Sequence, residues 1–263
     1  MLLKLKKSAI GKSFSHVPLR TILIVPFVLQ IFAAVGLTGY LSLRNGQKAV
    51  NDLAGRLRNE VSLRVDQHLN SYLNTARHLA QINGDAIDLG LIDRQSQEQL
   101  GHFFWKQMQL YNVGYICLGT KTGDFTGAGY DTGNSIIINE SSLRKNGNRD
   151  DYFYKTDNSG HRIKLFNIYN NYEFEKKAWY AQTVQAGKPI WSDIYQWKVK
   201  PFPLTISANR PVYDKNKNLI GVIGIDQRLS QISDFLKQLK VSQSGEVFIL
   251  ERNGLIVASS STE

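Results

Sequence analysis

Aromatic residues are concentrated in one segment of this chain, more densely than a surface helix requires. Trp179 and Tyr180 are adjacent, and Trp191, Tyr195 and Trp197 follow soon after. These side chains could form part of a domain core, as buried aromatic residues commonly do. On a helix, however, neighbouring residues point about 100° apart, so Trp179 and Tyr180 cannot both face one core stripe. We therefore expect at least one of them to line another surface, such as a cleft.

Two charged residues in or near this segment could bind a small zwitterion. A zwitterion needs a cation for its carboxylate and an anion for its ammonium group. Lys177 could supply the cation, and Asp226, which ends the apolar sequence GVIGID, could supply the anion. Tyrosine faces beside Asp226 would add a cation–π attraction of ~0.5–2 kcal/mol. Asp226 could equally be a cap or turn residue.

Sequence signatures of common enzymes are absent from the chain. It contains no GxSxG, HExxH, phosphate-binding loop or CxxC motif, and its five histidines are scattered. The single cysteine, Cys117, lies in an apolar run and is expected to be a buried structural thiol. We expect no enzyme, cofactor or metal site. A membrane-anchored hydrolase stays open if a cleft brings two carboxylates, such as Asp193 and Asp226, within ~5–10 Å.

The formal net charge of +10 does not indicate a nucleic-acid partner. Five of the cations precede the first apolar run: Lys4, Lys6, Lys7, Lys12 and Arg20. The remaining charge is thinly spread, without the Lys/Arg stripe and the fold motifs that are typical of nucleic-acid-binding proteins.

Residues 21–43 carry no charge and are numerous enough to cross a membrane. At ~1.5 Å per residue, a helix of this length reaches about 34 Å, which exceeds a hydrocarbon core of ~30 Å. Cleaved signal peptides have a shorter apolar core of about 7–15 residues, so we expect an uncleaved membrane anchor. The preceding cations predict that residues 1–20 are cytoplasmic and residues 44–263 extracytoplasmic.

Residues 44–83 are predicted to form one long stalk helix. Apolar residues recur at spacings of three and four from Val50 to Leu79, and charged residues occupy the opposite face. Asn83 and Gly84 weaken or break this pattern and mark the predicted end of the helix. The stripe must pack against the following domain, against the same helix of a second chain, or against each along part of its length. A homodimer through the stalk is therefore one expected partner.

After the stalk, the sequence changes to short β-rich runs bounded by Gly, Asn and Asp residues. Helices are predicted at 96–110, 175–186 and 230–239, and strands at 113–119, 124–130, 135–139, 162–169, 204–213 and 219–226. A hairpin is predicted at 246–250 and 255–259 around Asn253-Gly254. This mixture predicts an α+β fold with an antiparallel sheet.

The last hairpin is predicted to begin a new structural unit at 236–263. Two strands alone are marginally stable at best. We therefore expect this unit to be incomplete, the chain to be truncated, and residues 241–263 to be poorly packed.

Four short motifs occur in order: KAWY, AGKPIWSDIY, RPVYD and GVIGID. With the anchor and the stalk, they resemble the membrane-distal half of a double Cache (dCache) domain, the extracytoplasmic sensor of many bacterial chemoreceptors, sensor histidine kinases and cyclases. The resemblance covers about Val50 to the end. It implies a PAS-like ligand-binding domain at 84–235, followed by the start of a second, membrane-proximal PAS-like unit at 236–263.

The resemblance also implies a ligand site. Members that bind free amino acids share a tyrosine, an arginine five residues later, Trp-Tyr after one intervening residue, a later tyrosine and a distal aspartate. The matching residues here are Tyr172, Lys177, Trp179, Tyr180, Tyr195 and Asp226. Lysine stands where arginine is usual, and it offers a point charge instead of a planar fork. The pocket could therefore bind amino acids more weakly, or bind another carboxylate.

We predict extracytoplasmic small-molecule sensing in transmembrane signal transduction, with an amino acid or a related amine or carboxylate as ligand. The second expected partner is the lipid bilayer, through residues 21–43. The alternative from a different class is a structural or dimerisation module that binds no ligand.

Overall fold

The computed structural model describes residues 18–197, 203–239 and 245–261. Its α-helices are α1 (Leu19–Asp88), α2 (Gln97–Leu110), α3 (Leu143–Asn146), α4 (Ala178–Ala186) and α5 (Leu229–Gln238), and a 3-10 helix spans Phe174–Lys176. Its strands are β1 (Tyr115–Thr120), β2 (Asp124–Tyr130), β3 (Ile136–Ser142), β4 (Asp151–Thr156), β5 (Arg162–Tyr169), β6 (Ile190–Trp191), β7 (Tyr195–Gln196), β8 (Leu204–Tyr213), β9 (Leu219–Arg228), β10 (Phe248–Leu250) and β11 (Ile256–Ser259). The described residues fall into two compact units, the first ending at Glu60 and the second beginning at Val61.

The first unit contains the amino-terminal part of α1, which continues through Pro26 without a break. It includes an 18-residue window with a mean hydropathy of 2.2, none of which is buried. A helix of this length and composition is able to cross a membrane, and it contains the predicted segment 21–43. Of the predicted cytoplasmic tail, 1–20, residues 1–17 lie outside the part of the chain that the structure describes.

The apolar stripe of α1 is exposed in the first unit and buried in the second. Val50, Leu53 and Leu57 expose between 41% and 69% of their surface. Tyr72 and Leu79 are buried in hydrophobic clusters of the domain. The expected packing of the carboxy-terminal part against the domain is confirmed, and the dimer contact stays a prediction.

The predicted end of the stalk helix at Asn83 is wrong, because α1 continues to Asp88. Asn83 is fully buried and exchanges two hydrogen bonds with Gln107 of α2, one of 2.9 Å and one of 2.7 Å. Gly84 allows the Arg210 side chain to lie close to the helix, since a Cβ atom there would lie 3.0 Å from Arg210 Nε. Both residues therefore lie within the helix and form contacts with other elements of the domain.

Strands β1 to β9 form one antiparallel sheet. The order is β5-β4-β3-β2-β1-β9-β8-β6, and β7 also pairs with β8. The central strand β1 therefore lies between β2, its neighbour in sequence, and β9, which is distant in sequence. The long helix α1, the antiparallel sheet and the inserted helix α4 match the predicted α+β class.

The two faces of the sheet pack differently. One face, which includes Ile116, Leu118 and Ile223, forms the main core with α1 and α2. The other face, which includes Cys117 and Val222, packs against the 3-10 helix and α4. Because side chains alternate along a strand, the central strands β1, β2 and β9 contribute to both layers.

Strand β4 is absent from the predicted strands. On one face it carries Asp151, Phe153 and Lys155, and all three line a cavity. Charged residues at alternate inward positions obscure the apolar alternation by which strands are recognised. The charged side chains that face the cavity therefore explain why the sequence pattern did not predict this strand.

Strands β10 and β11 form the predicted carboxy-terminal hairpin as a separate sheet. Ala258 is buried against Leu229 and Ile232 of α5, whereas Phe248 and Ile256 are exposed. The prediction of poor packing is therefore wrong for the face that contacts α5. Residues 240–244 and 262–263, which the prediction also covered, lie outside the described residues.

Candidate functional site

A cavity of about 560 Å³ lies on the face of the sheet opposite α1 and α2. Strands β1, β3, β4 and β9 contribute to its walls, together with the segment that begins α4 and the segment around β7. Its volume lies within the ~300–1,000 Å³ that small-molecule sites usually enclose. Five of the six predicted site residues line it: Tyr172, Lys177, Trp179, Tyr195 and Asp226.

The alternation of side chains along β1 and β9 determines which residues of these strands face the cavity. On β1, Tyr115 and Cys117 face the cavity, while Ile116 faces the core. On β9, Asp226 lies directly opposite Tyr115 in the antiparallel pair and so projects to the same side. A carboxylate at the end of an apolar strand therefore faces the cavity.

Two glycines of β2 make room for Tyr115. A Cβ atom at Gly129 would lie 2.2 Å from the Tyr115 ring, and Gly127 lies beneath the end of the same side chain. The ring consequently lies across β2, and its hydroxyl donates a hydrogen bond to Asn139 Oδ1 on β3. Tyr115 thus reaches two strands away from its own strand.

Asp226 is buried, with 5% of its surface exposed. Burial raises the pKa of its carboxyl to about 6, while hydrogen bonds from Ser207, Tyr195 and Trp197 act in the opposite direction. Trp197 Nε1 donates to Oδ2 at 2.9 Å. The Ser207 hydroxyl also lies 2.8 Å from Asn209 Oδ1, and its single proton serves one acceptor at a time. The donors that lower this pKa are all neutral.

A second buried carboxylate, Asp151, faces the same cavity and exposes 2% of its surface. Its Oδ2 accepts a hydrogen bond of 2.7 Å from Asn139 Nδ2. Among the described residues, its Oδ1 has no hydrogen-bond partner. Burial raises the pKa of this carboxyl to about 7, the Asn139 hydrogen bond opposes that rise, and the charge of Glu140 adds to it.

Lys177 occupies the position that precedes the first residue of α4. Its Nζ lies 5.9 Å from the centre of the Tyr172 ring. Ala178 and Trp179, at the start of the helix, also line the cavity. Because the amino end of a helix carries partial positive charge, Lys177 and α4 together form the positive side of the cavity.

Tyr180 does not line the cavity with the other predicted site residues. Its ring packs edge-on against Phe174, with ring centres 5.3 Å apart, and against Trp179. The prediction that Tyr180 lines the same cleft as Trp179 is therefore wrong. Adjacent helical residues diverge, and it is Trp179 that faces the cavity while Tyr180 supports the 3-10 helix.

Asp193 is exposed and is not among the described residues that line the cavity. The carboxylate pair that would have favoured a hydrolase, Asp193 with Asp226, is therefore not formed there. Cys117 is a buried thiol, as predicted, and burial raises its pKa well above the usual range. Within the described ranges, no group of three or more His, Cys, Asp or Glu residues could hold a metal ion.

The cavity residues that sequence reasoning missed as site residues include Tyr115, Asn139, Asp151 and Trp197. Trp197 belongs to the aromatic segment and carried a usable signal. Asp151 begins a stretch in which every second residue faces inward, but its charge made that stretch look exposed. Tyr115 and Asn139 carry no local signal, because their role arises from strand pairing.

The solved structures that this fold resembles include sensory domains of chemoreceptors. The ligand-binding domain of Campylobacter jejuni chemoreceptor Tlp3, in complex with L-valine, gives a TM-score of 0.52 at 13% identity, covering 78% of this chain and 71% of that one. The ligand-binding domain of the Pseudomonas aeruginosa PAO1 amino acid chemoreceptor PctC, in complex with GABA, gives 0.51 at 17% identity, covering 76% and 72%. At these identities the likeness shows the fold alone.

Sequence comparison identifies the family. Methyl-accepting chemotaxis protein McpA of Pseudomonas putida is 29% identical over 89 residues, which are 34% of this chain and 14% of that protein. The chain therefore matches only a small part of this relative. The family profile described as Cache domain matches residues 46–263, which is most of the chain. The chain therefore belongs to the Cache domain family.

Proposed function

We propose that this chain is the extracytoplasmic sensory part of a transmembrane receptor, and that its cavity binds a small amine, such as an amino acid. The observation that carries the proposal is Asp226, a buried carboxylate that faces the cavity. Burying a charge is costly unless an opposite charge or several hydrogen bonds compensate it. A ligand ammonium group would supply the opposite charge.

The surroundings of Asp226 suit an ammonium group. Tyr195 and Trp197 form hydrogen bonds with the carboxylate, and the Tyr115 and Trp197 ring centres lie 5.3 Å apart. Aromatic faces attract cations and exclude water from the contact. Burial raises the pKa of Asp226, and no cation of the described residues is among the causes that lower it, which leaves this position open to a ligand ammonium group.

The start of α4 would bind the negatively charged group of the ligand. Lys177 and the amino end of the helix would attract the carboxylate of an amino acid. Lysine contributes a point charge, so we expect a weaker hold on that carboxylate than a bidentate arginine would give. Negative and positive sides of one cavity fit a zwitterion better than a plain anion.

The comparisons support this proposal. The similar structure of Tlp3 is in complex with L-valine, and that of PctC is in complex with GABA. Both ligands carry one amino group and one carboxyl group. We carry over this ligand class to the present chain, but neither ligand itself.

We further propose that residues 21–43 anchor the chain in a bacterial inner membrane. The cations of residues 1–20 then lie on the cytoplasmic side, and residues 44–263 lie outside. A signal would pass through the anchor to an output module, such as that of a chemoreceptor or a histidine kinase. The sensory module itself is not expected to be catalytic.

The proposal is tested by calorimetric titration of the full chain in lipid nanodiscs with single amino acids and simple amines. Asp226→Asn should weaken binding of each ligand about 10- to 100-fold, because it removes the charge opposite the ammonium group. Asp193→Asn is the matched control, since it removes a carboxylate outside the cavity. Lys177→Arg should strengthen binding of ligands that carry a carboxylate by ~1 kcal/mol.

Two results would contradict the proposal. If no amino acid or amine produces binding heat, the cavity is not a site of this class. If Asp226→Asn leaves affinity unchanged while Lys177→Ala abolishes binding, the ligand is a plain anion and the zwitterion assignment is wrong.

A further inference from the structure

We propose that Asp151 forms a second cation-binding subsite in this cavity, so that the preferred ligand carries a second ammonium or guanidinium group remote from the first. The inference rests on the proposed function and narrows its ligand class. It places basic amino acids and linear diamines ahead of amino acids with apolar side chains.

The first argument is the unpartnered oxygen. Asp151 is almost completely buried, and its side chain lines the cavity. Asn139 satisfies Oδ2, while Oδ1 has no hydrogen-bond partner among the described residues. A buried carboxylate oxygen without a partner is rare in folded proteins, because its desolvation is not compensated. A cationic group that enters this end of the cavity and reaches Oδ1 would compensate it.

The second argument is that, among the described residues, Asp151 forms no salt bridge with a cation of the protein. Arg162 binds the Glu140 carboxylate at 2.6 Å and the Gln97 carbonyl at 2.9 Å. Lys155 follows Asp151 on the same face of β4, and its Nζ lies 5.7 Å from the centre of the Phe166 ring. The Asp151 pKa is raised by burial and by Glu140, which is the behaviour of a carboxyl that lacks a cationic partner.

The third argument is the separation of the two acids. Asp226 lies opposite the backbone of Tyr115, whereas Asp151 binds the amide of Asn139, which in turn accepts the Tyr115 hydroxyl. A tyrosine side chain and an amide therefore connect the two carboxylates, and neither carboxylate is among the charges that shift the pKa of the other. We infer that one ammonium group does not contact both. Both carboxylates nevertheless act on the same groups, since each raises the pKa of Cys117 and of Tyr172.

The remaining acid of the cavity wall, Asp131, has a structural role. Its Oδ1 accepts the backbone N–H groups of Gly133 and Ser135, each at 2.8 Å, and so stabilises the turn between β2 and β3. Asp151 has no such local role in a turn. The ring of Tyr172, close enough to Asp151 for its pKa to respond, would add a cation–π contact to a bound cation.

The test uses a matched pair of ligands, L-lysine and L-norleucine, which differ in the terminal ammonium group. Titrations of the full chain in nanodiscs at about pH 8 keep Asp151 charged, since its pKa lies near 7. L-lysine should bind about 10- to 100-fold more tightly than L-norleucine, because the added contact is a charge-assisted hydrogen bond. Asp151→Asn should remove most of this preference, and Asp193→Asn should retain it.

A second pair, cadaverine and pentylamine, distinguishes the two sources of the second cation. A preference for cadaverine that depends on Asp151 supports the subsite without any need for a ligand carboxylate. A preference confined to L-lysine supports the subsite within an amino-acid ligand. The ligand preferences of the unchanged protein do not depend on how well the Asp151→Asn variant folds, and the variant is needed only to assign a preference to Asp151.

The possible failures are distinguishable. If L-lysine and L-norleucine bind equally, and cadaverine and pentylamine also bind equally, the second subsite is excluded while the proposed function stands. If a preference for the dication persists unchanged in Asp151→Asn, another residue forms the subsite and the assignment is overturned. If none of the four compounds binds while another amino acid or amine does, the second subsite is excluded and the proposed function stands. Only the absence of binding by every amino acid and amine tested overturns the proposed function.

Discussion

At the scale of single residues, burial and hydrogen bonding act in opposite directions on Asp151 and Asp226. Three neutral donors oppose the effect of burial at Asp226, and one amide opposes it at Asp151. The pKa of both carboxyls is raised, to about 7 at Asp151, where the charge of Glu140 adds to burial, and to about 6 at Asp226. In the ligand-free protein, such acids lower stability at neutral pH, because folding must bury their charge or retain their proton.

Asp151→Asn should therefore stabilise the ligand-free chain in a pH-dependent way. The carboxyl has its ordinary pKa of 3.8 when unfolded and about 7 when folded, so the folded state holds the proton between these values. Stability is lost as pH rises from about 4 to 7, and the full cost is present above 7. At about pH 8 the variant should gain roughly 1–4 kcal/mol of unfolding free energy.

The groups that are linked to Asp151 by a hydrogen bond or by charge are Asn139 and Glu140 on β3, Tyr115 and Cys117 on β1, and Tyr172. Urea denaturation of the wild type and the variant at about pH 4 and pH 8 measures the difference. An equal gain at both pH values would show that the effect arises from packing and not from the charge.

At the scale of secondary-structure elements, two glycines make β2 a less stable strand but leave space for the Tyr115 side chain. Gly127 and Gly129 have no side chain to pack, and glycine in a strand interior weakens it. In exchange the Tyr115 ring lies across the strand and reaches Asn139. The position of the cavity wall therefore depends on the absence of two Cβ atoms.

Gly129→Ala should displace the Tyr115 ring and weaken ligand binding. Its Cβ would lie 2.2 Å from Tyr115 Cδ2, so the ring must move. We expect a loss of about 1–3 kcal/mol in stability, as is usual for overpacking, together with reduced affinity. Thermal unfolding and calorimetry of the full chain measure the two effects.

Gly133→Ala, in the adjacent turn, is the matched control, because its Cβ would meet its nearest atom at an ordinary 3.4 Å. The double variant Gly129→Ala, Tyr115→Leu should lose less than the sum of the two single variants, since the ring that clashes is gone. Full additivity would mean that Gly129 and Tyr115 are not coupled.

At the scale of the whole molecule, α1 serves two compact units with a single apolar stripe. In the second unit the stripe is covered by the domain, at Tyr72 and Leu79. In the first unit Val50, Leu53 and Leu57 are exposed. An exposed stripe at helical spacing is typical of a helix that packs against another helix, and we propose a second copy of this chain as that partner.

Cysteine cross-linking tests this contact. The one native cysteine, Cys117, is buried, so Leu53→Cys introduces a single reactive thiol. In membranes, mild oxidation should convert most of this variant to a disulfide-linked dimer. Asn51→Cys, about 200° away around the helix, should cross-link several-fold less. Equal yields at the two positions would contradict a specific contact through the stripe.

Local patterns in the sequence were sufficient for most elements. The charge-free segment and the stripe of α1 follow from composition and from the helical period. Strands β2, β5 and β8 have their predicted bounds, because turn residues delimit them clearly. Local pattern failed at Asn83, where a buried amide pair with Gln107 overrides an apparent helix end. It failed again at β4, whose inward side chains are charged.

The sequence by itself determined which chemistry is present: an aromatic segment, Lys177 beside it, and Asp226 at the end of an apolar strand. Only the tertiary structure decided which of these groups meet. Pairing of β9 with β1 places Asp226 beside Tyr115, and pairing across β2 and β3 brings Asn139 and Asp151 to the same cavity. Such pairings join residues far apart in the chain, and no local propensity encodes them. Strand pairing thus brings Asp151 into the site, whereas Tyr180 is excluded because its ring packs against Phe174 of the 3-10 helix.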